Sequence, residues 1–564
     1  MQNPPRRPRG LPTLATTLAI LLASCDTSSG TRDSIGDPTA PTPYALHLIA
    51  AGPDTARGGG FILRYRWPFG LIEKSGLHVF VGPESNPGFL IRDNKVPYSI
   101  STNRRITFRI EALQSYAHGI SRTLDIDTTT RLVYARKSTK DDAPELRAVD
   151  DFGRSSRPNA GIRLETEPRM FVGTNGRDLA FVGTSSEGTR LYRSKIGDSI
   201  VQPVDADFSS VETKLGWNAG ATSLAHWRAS STERLGTLSL AFDAKSIEIG
   251  QNVVAPTHGM PFAFSPDGAQ LAFIREQSDV CTLVLLDVIS SSLGGQVHSD
   301  IDCDLITRVA WSRDGDSIAV LGHKEDTGIS TLTRFDGNLE GGMERKIVSR
   351  SADKHRGPTD FAWSPTGDRL LVIGDYLLDK KMNVRVYENG QFTSWAFDPV
   401  TNVRNEIRDL AWSPDGTRFA LLSDRRQAGS FQLFLNELDS GKTAAVHAEL
   451  APSAKIPSFE WSGNGRYLAW LANDRQEGRF ELYRNDPTSS ASSRLSGDMP
   501  GDSKGIRDFA WHPIAPVIAF RADARTTDHL ELYQVGLDGT RIVRSSGSTD
   551  WNVGAWSWTR FFQR

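Results

Sequence analysis

Residues Asp409 to Leu421 read D-L-A-W-S-P-D-G-T-R-F-A-L. Two apolar runs flank Ser413-Pro414-Asp415-Gly416. Pro sets φ at the second turn position and Gly takes the positive φ at the last, so the segment predicts a β-hairpin. The pattern returns as Phe264-Ser-Pro-Asp-Gly268, Trp311-Ser-Arg-Asp-Gly315, Trp363-Ser-Pro-Thr-Gly367 and Trp461-Ser-Gly-Asn-Gly465, with weaker copies starting at Val172, Trp217 and Trp511. Seven residues after each start comes a second apolar run, at Leu179, Leu224, Leu271, Ile318, Leu370, Phe419, Leu468 and Ile518. Successive starts differ by 45, 47, 47, 52, 49, 49 and 50 residues, close to the period of one four-stranded propeller blade.

The second half of each repeat agrees. Leu191-Tyr192, Val384-Arg385-Val386-Tyr387, Leu433-Phe434-Leu435, Leu482-Tyr483 and Leu530-Glu531-Leu532-Tyr533 read as third strands, several followed by turn signals such as Asp538-Gly539. The recurring motif resembles the TolB-like β-propeller repeats, relatives in appearance of WD repeats, over roughly three quarters of the chain. That resemblance implies a fold. The family includes partner-binding periplasmic proteins and domains attached to peptidases, so activity does not follow from it. Leu132-Val-Tyr134 stands 47 residues before Leu179 and reads as a second strand, while Trp556-Ser-Trp558 near the C-terminus reads as a first strand without a blade behind it. Pairing the two halves closes the ring and removes two edges. The expected fold is all-β, with an eight-bladed propeller over 129–564 closed by the terminal strands, and nine blades as the alternative count.

At 564 residues the chain calls for more than one domain. Its 65 basic and 67 acidic side chains nearly cancel, and this balance supplies no argument for a nucleic-acid partner. Residues 1–25 look like an export signal: Arg6, Arg7 and Arg9 precede an apolar run of 14 residues, Leu11 to Ser24, too short to span a bilayer. Leu22-Ala-Ser-Cys25 resembles the bacterial lipobox, which implies cleavage before Cys25 and a diacylglyceryl thioether on its sulfur. The Ser-, Thr-, Gly- and Pro-rich residues 26–43 read as a flexible tether. Residues 44–128 alternate as strands without the repeat motif and predict a small β-sandwich. The strand before Trp67 and the run Ile106-Thr-Phe-Arg-Ile-Glu-Ala-Leu113 resemble the second and sixth strands of a fibronectin type III module, with Ile106 where that family usually has Tyr.

For chemistry the inventory is thin. There is no G-x-S-x-G, H-E-x-x-H or G-x-x-x-x-G-K, and the 11 His show no ligand spacing, so neither a metal nor a cofactor is expected. Cys281 opens a third strand and Cys303 ends the next one; in antiparallel neighbours the start of one strand faces the end of the next, which places the two thiols side by side and allows a disulfide in an oxidising compartment. The aromatics at 217, 264, 311, 363, 412, 461, 511 and 556 recur at one place in the repeat and read as core between blades. Asp360, Asp409 and Asp508 each stand three residues before a blade Trp, where other repeats carry Arg308, Lys214 and Ser458. This position falls at the channel mouth, where a polar ring offers a binding site. The expected function is therefore non-catalytic: a lipid-anchored envelope protein, facing the periplasm or the cell surface, whose propeller binds a protein or a peptidoglycan-associated partner. A hydrolase or lyase acting on peptides or glycans at the same mouth is the rival reading.

Overall fold

The computed structural model describes strand backbone between His47 and Asp127, and backbone with side chains for most of residues 131–559. The targeting segment with Cys25 and the tether lie outside the described residues. In the N-terminal region one antiparallel sheet joins His47–Asp54, Gly60–Arg66 and Lys95–Val96. A second runs in the order Phe89–Ile91, Leu77–Val81, Arg105–Ala112, Ser121–Asp127.

The rest is a β-propeller. Blade 2 runs from Met170–Val172 to Val201–Asp205, blade 3 from Thr213–Trp217 to Lys245–Val254, and blade 4 from Phe262–Phe264 to Ser292–Ile301. Blade 5 spans Leu305–Trp311 to Gly342–Arg350, blade 6 Pro358–Trp363 to Gln391–Phe397, and blade 7 Ile407–Trp412 to Thr443–Ala445. Blade 8 spans Phe459–Trp461 to Ser492–Arg494, and blade 9 Ile506–Trp511 to Ile542–Arg544. Blade 1 is made from both ends of the repeat region: Trp551–Trp558 pairs with Arg131–Ser138, which continues into Glu145–Asp150 and Ser155–Ser156.

Among the described residues there are thus nine blade units, one more than the eight expected; blade 2 carries Arg163–Leu164 as a fifth strand, and one pair, Val253 with Arg275, joins the sheets of blades 3 and 4. The terminal strands do not merely seal an eight-bladed ring; with two further strands they form a blade of their own. Buried apolar side chains are grouped in nine layers, each between consecutive blades. The layer that joins last to first packs Ala519 and Leu532 of blade 9 on Leu132, Tyr134 and Trp558 of blade 1. With both faces of each sheet covered, apolar residues run consecutively along the second strands, as in Leu370-Leu-Val-Ile373.

The repeat motif builds the turn it predicts. Gly268, Gly315, Gly367, Gly416 and Gly465 have φ between +67° and +87°. In blade 7 the Ser413 hydroxyl accepts the Arg418 N–H at 3.0 Å, and Asp415 accepts the Ser413 hydroxyl at 2.5 Å and the Thr417 N–H at 3.0 Å. These carboxylates belong to the turn. A recurrent hydrogen bond ties neighbouring blades. Trp217, Trp311, Trp363, Trp412, Trp461 and Trp511 each donate the indole N–H to a carbonyl on the first strand of the preceding blade, at 2.9 to 3.2 Å. Phe264 of blade 4 has no such donor. There Gly216 lies so close to the Phe262 ring that a Cβ would stand 3.0 Å from it, so contact replaces the bond.

The closing strand enters this series through Trp558, not Trp556. Trp558 donates to the Ala510 carbonyl at 3.3 Å and faces Leu132, as Trp412 faces Phe419. Thr559 then takes the role of the motif serine: its N–H donates to the Arg131 carbonyl at 2.8 Å and its hydroxyl accepts the Arg131 N–H at 2.9 Å. Blade 1 is a repeat opened at its first turn. The expected register at Trp556 is two residues early: Trp558, not Trp556, faces Leu132 at the start of the second strand.

Candidate functional site at the channel mouth

First strands converge on the channel, and in four of them besides the closing strand an extra residue interrupts the ladder. The register shifts between Ile306 and Arg308, Pro358 and Asp360, Ile407 and Asp409, and Ile506 and Asp508. A bulge absorbs Thr307, Thr359, Arg408 and Arg507 and re-aims the residue that follows. That following residue is in each case the candidate side chain.

The structure divides these candidates into two groups. Arg308 donates from Nε and Nη2 to both oxygens of Asp360, at 2.8 and 3.0 Å, a bidentate pair across blades 5 and 6. Asp409 of blade 7 stands beside that pair. Its carboxylate accepts the Leu410 N–H at 2.8 Å and, among the described residues, forms no ion pair. It is exposed to water yet partly enclosed by neighbouring protein. That enclosure raises its pKa above the ordinary Asp value; the Leu410 N–H and Arg308 oppose the shift and Asp360 reinforces it.

Asp508 is elsewhere and does something else. It accepts the Trp556 indole N–H at 2.6 Å and pairs with Arg521, whose guanidinium also donates to the Gly554 carbonyl at 2.6 Å. Asp508 therefore clasps the closing strand of blade 1 to blade 9. Lys214 of blade 3 is exposed, and Ser458 of blade 8 carries no charge.

A second series at the mouth was missed in the sequence. The residue ending each of four second strands caps a backbone N–H leading into the first strand of its own blade. Asp375 accepts from Gly357 at 2.9 Å, Asp424 from Glu406 at 2.6 Å, Asn473 from Lys455 at 2.6 Å and Asp523 from Lys504 at 3.1 Å. The signal was available: these residues are spaced 49, 49 and 50 apart. The caps hold the loops between second and third strands against the mouth.

Cys281 and Cys303 are bonded, with Cα atoms 6.1 Å apart, and both are buried. They fasten the third strand of blade 4 to the segment leading into blade 5.

The ionisation of Asp409 predicts a pH effect. A carboxyl whose folded pKa is raised contributes stability that is fully present below its unfolded pKa and is lost as pH rises through the folded value. Asp409→Asn removes that loss, so its melting temperature should exceed the wild type's at pH 7, with the difference closing as pH falls toward 3. Thermal melts of both proteins across that range test it, and an equal offset at every pH would refute the assignment.

No protein-family profile matches the chain, and no curated protein is similar to it. Solved structures with a similar fold include the β-propeller domain of the Trilobed protease from Pyrococcus furiosus, 14% identical over 61% of this chain and 98% of that one, TM-score 0.34. Dipeptidyl peptidase 4 from Porphyromonas gingivalis is 13% identical over 66% of this chain and 58% of its own, TM-score 0.47. A protein described as a TolB from Agrobacterium tumefaciens is 17% identical over 47% of this chain and 93% of its own, TM-score 0.26.

Proposed function

We propose that this protein is a non-catalytic binding scaffold of the bacterial cell envelope, anchored by lipid on Cys25 and engaging a protein or peptidoglycan-associated partner at the propeller mouth. The observation that carries the reading is the division of labour among the mouth acids. Asp360 is neutralised by Arg308 and Asp508 is committed to the closing strand, whereas Asp409 keeps carboxylate lone pairs open toward the mouth. A solvated acid on a bolted ring suits an N–H donor or cationic group brought by a partner. Two acyl chains or more on Cys25 make a lasting anchor, at about 0.8 kcal/mol per buried methylene. The strand order of the N-terminal sheets supports a fibronectin type III-like spacer between membrane and propeller.

Crosslinking capture from intact envelopes, wild type against Asp409→Asn, tests the site. A specific partner captured by the wild type and at least tenfold depleted in the variant is the expected result. Equal capture removes Asp409 from the interface, and absence of any specific partner overturns the scaffold reading. Cys25→Ser should move the protein from the membrane to the soluble fraction and abolish incorporation of labelled palmitate.

A further inference from the structure

Three consecutive blades carry the same loop between second and third strands, and each exposes an arginine at the same point. In blade 7 the loop follows Asp424, in blade 8 Asn473 and in blade 9 Asp523, each of which caps the mouth. The loops then make one turn three times over: Ser430 donates to the Gln427 carbonyl at 3.0 Å, Arg479 to Gln476 at 3.2 Å and His529 to Thr526 at 3.1 Å. Gly429, Gly478 and Asp528 occupy the left-handed region at equivalent positions, with φ of 80°, 78° and 61°. The residue before each turn is Arg426, Arg475 or Arg525, and all three are exposed.

Two of the three arginines are held by their surroundings. Arg426 lies over the Phe434 ring, 5.6 Å from its centroid, and donates to Gln432 at 3.4 Å. Arg475 stands 3.8 Å from the buried Glu481 carboxylate, which Arg494 also holds at 3.0 Å. Asp474 and Glu477 offset part of the charge of the middle loop, while Asp528 of the third is taken by Lys504. Exposed Lys455 and Arg507 add positive charge where the same blades begin. Blades 4 and 5 present the opposite sign at their corresponding loops, through exposed Asp279, Glu325 and Asp326.

We infer that the mouth-face loops of blades 7 to 9 bind an anionic glycan, a polymer whose carboxylates recur along its length. One guanidinium per blade, placed identically in successive blades, makes a regular ladder of cations. A chain with repeating negative charge can engage several rungs at once, and a planar guanidinium suits a carboxylate in bidentate fashion. Engagement of several rungs multiplies weak contacts. The site lies on the loops and not in the channel, so it goes beyond the scaffold reading.

The test uses the full-length protein and alginate oligomers, with the same oligomers carboxyl-reduced to neutral sugars as the control. The expected result is binding to alginate that weakens with salt, no binding to the reduced form, and a loss of at least 30-fold in the triple variant Arg426→Gln, Arg475→Gln, Arg525→Gln. Glu325→Gln with Asp326→Asn should leave affinity within twofold or raise it. Circular dichroism and melting of the triple variant establish that it is folded, as expected for exposed side chains. Unchanged affinity in the folded triple variant, or no binding to alginate by the wild type, overturns the inference. So does a preference for polyglutamate, which would assign the ladder to an acidic peptide. Glycan binding lost in the triple variant with partner capture retained separates the two sites, while partner loss in Asp409→Asn with glycan binding intact bears on the scaffold reading alone.

Discussion

Trp558→Ala should cost about 3 to 5 kcal/mol of stability, the range for removing a buried aromatic from a packed core. Trp558 is 2% exposed, packs with Leu132, Tyr134 and Leu532, and sets its ring edge-on to His512 at 4.7 Å. It also supplies the indole bond to Ala510, the link that joins blade 1 to blade 9. Its loss strikes at the one blade whose first two strands are not joined by a turn. No turn joins Trp551–Trp558 to Arg131–Ser138; side-chain packing, the strand ladder and the Asp508 clasp hold that pair together. Trp556→Phe, two residues earlier, keeps most of its apolar contact and gives up the bond to Asp508, which Arg521 still holds. It should cost about 1.5 to 3 kcal/mol, the scale of one hydrogen bond to a charged group. Urea unfolding of the two variants separates the registers: a cost at Trp556 equal to or larger than that at Trp558 would contradict the closure described above.

The repeat was legible because two independent signals coincide, a turn motif of known geometry and an apolar run seven residues behind it, both recurring at one period. The closing strand was legible in kind for the same reason. Its register was not, because two tryptophans stand two residues apart and both side chains lie on the same face of the strand. The blade count followed the same obscurity: the third and fourth strands of blade 1, Glu145–Asp150 and Ser155–Ser156, carry no motif of their own. At the mouth, the position three residues before the blade Trp was readable as a place. Its chemistry was not. Arg308 and Asp360 meet across blades at 52 residues' separation, and the bulge that aims each of them has no residue signature. Asp508 belongs to the fold because Trp556 and Arg521 reach it, which depends on where the chain's far end returns.

Replacing both Cys281 and Cys303 by Ser should lower stability by about 3 kcal/mol. The two residues are 22 apart, and a cross-link closing a loop of that length removes about this much conformational freedom from the unfolded chain. The enclosed segment is the rest of the third strand of blade 4, Thr282 to Asp287, the fourth strand Ser292–Ile301 and the link to blade 5. The native side is already pinned. Arg234 of blade 3 donates to the Cys303 carbonyl at 2.8 Å and the Asp304 carbonyl at 3.2 Å, and pairs with Glu276 at 2.6 Å. The double variant should therefore fold to the same structure and differ through its unfolded state. Because Cys281 is 1% and Cys303 3% exposed, reductant alone should leave the bond unlabelled by thiol reagents under native conditions. With reductant present throughout a urea titration, the wild-type midpoint should fall to that of the double variant. Coincident midpoints for the oxidised wild type and the variant would show that the bond contributes nothing. A reduced wild type still more stable than the variant would instead place the effect in the buried thiols, whose replacement by hydroxyls costs burial of polar groups.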